Sequence, residues 1–83
     1  MYCVYILKSL KDGKFYIDQT NDLERRIQEH NEGRNPSVKG RGPFKLVYKE
    51  EFPDRSLAIR REREIKSYKG GNAFRKLISG PIV

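Results

Sequence analysis

The chain has 83 residues, 36% hydrophobic and 35% charged, which suits one small α+β-sized domain over residues 1–83 with at most two packed layers. Its one cysteine, Cys3, excludes an intramolecular disulfide and a cysteine-rich zinc site, and no apolar run approaches the ~20 residues of a membrane span. Lysine and arginine number 18 against 11 acidic residues, a net charge of +7, and such a surplus favours a polyanionic partner, nucleic acid first.

Strand-like sequence begins at once, without a signal peptide, so a cytoplasmic protein is expected. Tyr2 to Lys8 (YCVYILK) is rich in β-branched and aromatic residues and reads as a strand. Asp12-Gly13 signals a turn, and Lys14 to Ile17 resumes the strand pattern, giving an antiparallel hairpin. Alternation puts Phe15 and Ile17 on one face and Tyr16 and Asp18 on the other. Asn21 with Glu24 resembles a capping arrangement for a helix from Asp22 to Glu32 that stops at Gly33. Leu23 and Ile27 form its apolar ridge, and Arg26 and His30, one turn apart, share a neighbouring stripe.

Gly33 to Pro43 carries glycine, proline and the basic residues Arg34, Lys39 and Arg41, and reads as a loop. Phe44 to Phe52 is a third strand, with Phe44, Leu46, Tyr48 and Phe52 expected on one side and Lys45, Lys49 and Glu51 on the other. Asp54 caps a helix from Arg55 to Tyr68, Gly70-Gly71 breaks it, and Asn72 opens a short last helix bearing Phe74, Leu77 and Ile78. The order is ββαβαα. It predicts an α+β fold, a three-stranded antiparallel sheet flanked by helices.

Several side chains could carry chemistry. Glu62 lies on the stripe of Ala58 and Ile65, so its carboxylate needs a cation: a metal ion, or a local base such as Arg61 or Lys66. His30 is the single histidine. With Arg26 one turn earlier, it pairs a phosphate-binding fork with a group that titrates near neutrality. Tyr5 and Tyr16 lie on strands, where tyrosines usually pack across the sheet with the hydroxyl at the rim. Spacing leaves both a packing and a catalytic role open for each.

Taken together, Val4-Tyr5-Ile6, then Tyr16 to Arg26 (YIDQTNDLERR), His30-Asn31-Glu32-Gly33, Gly42 to Tyr48 (GPFKLVY) and Arg61-Glu62 with Ile65-Lys66 resemble the GIY-YIG nuclease signature of the small bacterial branch. The resemblance implies a metal-dependent endonuclease that hydrolyses phosphodiesters, in DNA before RNA. It implies that Tyr5 orients water or the base, Tyr16 is the general base or its relay, and Arg26 holds the scissile phosphate. His30 would assist proton transfer. Glu62 would ligate one divalent ion, Mg²⁺ or Mn²⁺, with no other small-molecule cofactor. Arg34, Lys39, Arg41 and Lys45 are expected to bind the nucleic-acid backbone.

Two positions depart from that pattern. Val4 stands where the first motif has glycine, and Asp18 where the second does. Asp18 shares a face with Tyr16, so its charge would meet the phosphate. Like charges ~5 Å apart repel by about 3 kcal/mol at an effective dielectric near 20. The expectation is slow or absent cleavage, unless Asp18 serves as a second metal ligand. The alternatives are a non-catalytic nucleic-acid-binding module on the same scaffold and a protein-interaction domain.

Overall fold

The computed structural model describes residues 1–32 and 42–79, so the expected backbone contacts of Arg34, Lys39 and Arg41 lie outside the described residues. The elements are β1 (Tyr2–Ser9), β2 (Phe15–Thr20), α1 (Leu23–Asn31), β3 (Phe44–Phe52), α2 (Arg55–Ser67) and α3 (Asn72–Ser79). They follow the expected ββαβαα order and build one antiparallel sheet in the order β2-β1-β3. Among the described residues, no helix is long and apolar enough to cross a membrane.

The central strand decides the layering. Residues Cys3 to Leu7 are all buried, which requires cover on both faces of β1. Val4 and Ile6 pack with Tyr48, Ala58, Ile65 and Phe74 beneath α2 and α3. Cys3, Tyr5 and Leu7 pack with Phe44 and with Leu23 and Ile27 of α1. The two-layer expectation is therefore corrected to three layers, because a continuous apolar strand cannot leave either face wet.

Local chemistry explains the boundaries. The hairpin closes through a longer turn than Asp12-Gly13 alone: Ser9 N donates to Lys14 O at 2.8 Å, and Gly13 takes φ +74°, a conformation that favours glycine. The cap of α1 is Asp22 rather than Asn21. Its carboxylate accepts from Arg25 N at 3.2 Å, and its own N–H donates to Thr20 Oγ1 at 3.1 Å. Asp54 caps α2 as expected, accepting from Leu57 N at 3.0 Å.

Strand β3 corrects a further expectation. Ile6 pairs with Tyr48 but Leu7 pairs with Leu46, so Val47 is the extra residue of a bulge. An extra residue reverses the alternation. Phe44 and Leu46 consequently join the α1 face, while Val47, Tyr48 and Phe52 join the α2–α3 face.

Ile65 is fully buried, whereas Leu57 on the same helix is 38% exposed. Ile65→Ala should destabilise the fold by about 2–5 kcal/mol, and Leu57→Ala by no more than about 0.5 kcal/mol. Thermal unfolding followed by circular dichroism checks the contrast; equal losses would place the core elsewhere.

Candidate active site

The α1 face of the sheet carries an unusual polar centre. Register sets Tyr5 of β1 directly between Asp18 of β2 and Lys49 of β3, and Tyr5 is fully buried. A buried hydroxyl must find partners, and α1 supplies two. Arg26 and His30 lie four residues apart and project from one side of a helix held down by Leu23 and Ile27.

Arg26 Nε donates to Tyr5 Oη at 3.3 Å, and Tyr5 Oη lies 3.2 Å from His30 Nε2. Guanidinium can only donate, so the phenol oxygen accepts from Arg26, and the direction of its bond with Nε2 is set by the imidazole tautomer. His30 Nδ1 is buried and unpartnered among the described residues.

The outer edge of Arg26 is also engaged. Its Nη2 donates to Asp18 Oδ2 at 3.0 Å, and Nη1 stands 3.7 Å from Glu29. The other Asp18 oxygen accepts from Gln19 N at 2.8 Å, which orients the carboxylate toward the arginine. Asp18 does share a face with Tyr16, as alternation predicts, yet its charge is already neutralised by the guanidinium.

These contacts set the protonation states. The Asp18 bond, then the Tyr5 bond, hold Arg26 above its ordinary pKa. Burial pushes the Tyr5 phenol well up, and the bond from Arg26 offsets only part of that. Burial, reinforced by the Arg26 charge, lowers His30. Near neutrality the centre is a cation joined to a neutral phenol and a neutral imidazole.

Tyr16 lies on the same face as Tyr5, paired with Leu7 across the sheet. Its ring meets Phe44 edge-on at 5.3 Å, and the His30 ring is 5.8 Å from the same Phe44. Lys45 is exposed on β3 beside Lys8 of β1. A polar cleft of about 300 Å³ opens beside Arg26, with Gln19, Thr20, Arg25, Glu29 and Arg55 in its lining.

Glu62 comes from α2, whose buried Ala58 and Ile65 pack on the opposite face of the sheet. Its side chain is only 16% exposed and bonds Lys66 Nζ at 2.7 Å, so the local-base resolution of its burial is realised, with Lys66. Arg61 instead pairs with Glu50 at 3.0 Å and with Glu64. The Glu62 charge still acts on the Tyr5 phenol.

No group of three or more His, Cys, Asp or Glu side chains that could hold a metal occurs among the described residues. Magnesium nevertheless keeps several waters and is commonly held by one or two carboxylates plus phosphate oxygens. Glu62 fits that pattern once the Lys66 ammonium, half exposed and so in a weak pair, swings aside.

Sequence reasoning missed the Asp18–Arg26 bond and the flanking Glu29. Alternation put Asp18 on the Tyr16 face of β2 and the helical period put Arg26 on the His30 stripe, but which face of the sheet α1 covers is decided by packing.

A lowered His30 pKa has a signed consequence. The unfolded chain takes up the proton near pH 6.5, before the folded one does, so stability falls as pH drops below about 6.5 and levels off below the folded pKa. Urea unfolding between pH 8 and pH 5 should show that fall in wild type and a flatter profile in His30→Gln. An unchanged profile would remove His30 as its source.

Comparison with known proteins agrees with this architecture. A family described as the GIY-YIG catalytic domain matches residues 1–74. The UPF0213 protein of Haloquadratum walsbyi is 47% identical over 66 residues, 78% of this chain and 73% of that protein. The UPF0213 protein of Clostridium perfringens is 49% identical over 67 residues, 80% and 71% of the two chains. The solution NMR structure of the UPF0213 protein BH0048 from Bacillus halodurans superposes with a TM-score of 0.59 at 40% identity, covering 95% of this chain and 84% of that one. On sequence match, relatives and fold together, the chain belongs to the GIY-YIG nuclease family.

Proposed function

We propose that the protein is a divalent-metal-dependent endonuclease acting on DNA in the cytoplasm, and that its site is held in a self-occupied state. The observation that carries this reading is the guanidinium of Arg26, fixed from behind by a buried phenol with a neutral imidazole on the same hydroxyl. A fork so held presents its outer Nη edge in one orientation, which is what bidentate phosphate binding needs.

In the proposed reaction a phosphate oxygen takes the place of Asp18 on Arg26, and the guanidinium offsets charge in the transition state. Water attacks phosphorus with its proton passing to the neutral imidazole of His30, Tyr16 relaying it by giving up one hydroxyl proton as it takes another. A new P–O bond forms and the bond to the 3′ oxygen breaks, that oxygen leaving as an alkoxide whose charge Arg26 and a bound cation would offset. The product carries a 5′-phosphate. Tyr5, fully buried, acts as a positioning residue for Arg26 and His30. Glu62 would hold one Mg²⁺ or Mn²⁺, whose contribution is to neutralise the leaving oxygen. Lys45, with Arg34, Lys39 and Arg41, binds the DNA backbone.

The Asp18–Arg26 bond also favours a second reading, a nucleic-acid-binding module whose hydrolytic site is blocked. Plasmid nicking with Mg²⁺ and Mn²⁺ separates them. Wild type should cut slowly, Asp18→Gly faster by up to roughly a hundredfold, and Glu62→Ala not at all. Lower activity in Asp18→Gly would make Asp18 a participant. Intact plasmid in every case, with retained binding, would establish the module.

A further inference from the structure

A second cleft, of about 330 Å³, opens where the β2 edge meets the turn between α2 and α3. Its wall is apolar, from Phe15, Ile17, Ile65 and Phe74, and its rim carries Lys14, Lys66 and Lys69. No carboxylate lines it among the described residues. Phe15 is the exposed member of the wall, 37% accessible, and its ring stands 5.1 Å from Phe74 at 72°.

The basic surface continues beyond the cleft. Lys8 pairs in register with Phe15 on one side and with Lys45 on the other, and its ammonium lies 5.8 Å from the Phe15 ring centroid. At the inner side, Lys66 is the residue bonded to Glu62. The cleft thus joins the carboxylate of the proposed metal site to a row of lysines across the sheet.

We infer that this cleft binds an unpaired nucleobase of the nucleic-acid substrate, against the Phe15 wall, with the flanking phosphates on Lys14, Lys66 and Lys69. The chemistry calls for a ligand with a flat apolar body and anionic ends. A nucleotide in a single strand has both, and stacking on an aromatic wall tolerates any base. A duplex offers its phosphates but keeps its bases out of reach. The inference rests on the nucleic-acid reading above and narrows it: the preferred substrate contains a single-stranded segment that reaches the α2–α3 face of the sheet, where Lys66 bonds Glu62.

Fluorescence anisotropy without divalent ions tests this, using a labelled strand of ten thymidines and a duplex of the same length. Wild type should favour the single strand. Phe15→Ala should weaken single-strand binding roughly 5- to 100-fold and leave duplex binding unchanged. Lys14→Gln, an exposed change that spares the aromatic packing, should reduce the salt slope for the single strand by about 0.7. Shifts of Phe15 ring resonances in wild type on adding the strand give a readout independent of either variant. Equal losses on both ligands, or no loss, or silent Phe15 resonances, would overturn the inference. A protein that cuts duplex plasmid without single-strand preference defeats this inference alone; one that binds neither ligand defeats the nuclease reading as well.

Discussion

The structure turns on the hydroxyl of Tyr5. It is a polar atom in the middle of the central strand, with no access to water, and leaving it unpaired would cost about 1–3 kcal/mol. Its partners Arg26 and His30 are a turn apart on α1, so satisfying the hydroxyl also fixes where that helix sits and how it is rotated. Leu23 and Ile27 then close the apolar layer around Tyr5 and Leu7. One buried oxygen thereby aligns a strand, a helix and the only histidine.

The same geometry produces a competition. Asp18 holds Arg26 Nη2 at 3.0 Å, with Glu29 3.7 Å from Nη1, so an anion reaches Nη2 only by displacing Asp18. Asp18 is tethered to β2 and oriented by Gln19 N, so its effective concentration at the guanidinium far exceeds that of any free ligand. A charge-assisted hydrogen bond of this kind contributes about 1.5–3 kcal/mol. An incoming phosphate must therefore be held by other contacts before it can displace the carboxylate. On the proposed nuclease reading a net charge of +7 would supply them, each phosphate neutralised elsewhere on the surface bringing the scissile one closer. On that reading the basic surface sets occupancy and Arg26 sets position.

Much of this was legible in the sequence because the signals were local. The strand run through Cys3 to Leu7, the caps at Asp54 and near Asp22, and the breakers at Gly70-Gly71 act within a few residues. The faces of Tyr16, Asp18, Arg26 and His30 followed from periods of two and 3.6. What escaped was non-local. The Val47 bulge depends on how β3 registers against β1, and it moved Tyr48 and Phe52 to the opposite face from Phe44 and Leu46. The cover on both faces of the sheet depends on three helices choosing sides. Asp18 was read against an absent phosphate, whereas its nearest charge is Arg26; only the packing of α1 on the hairpin settles that pairing.

In the proposed reaction Asp18 and a substrate phosphate compete for one guanidinium. NMR observation of the Arg26 Nε–Hε resonance during titration with a thymidine dinucleotide, in metal-free buffer, reads that competition without requiring cleavage. The resonance should shift at a dinucleotide concentration about tenfold or more lower in Asp18→Gly than in wild type. A wild-type shift at the same or lower concentration would show that Asp18 assists phosphate binding, and would contradict the account.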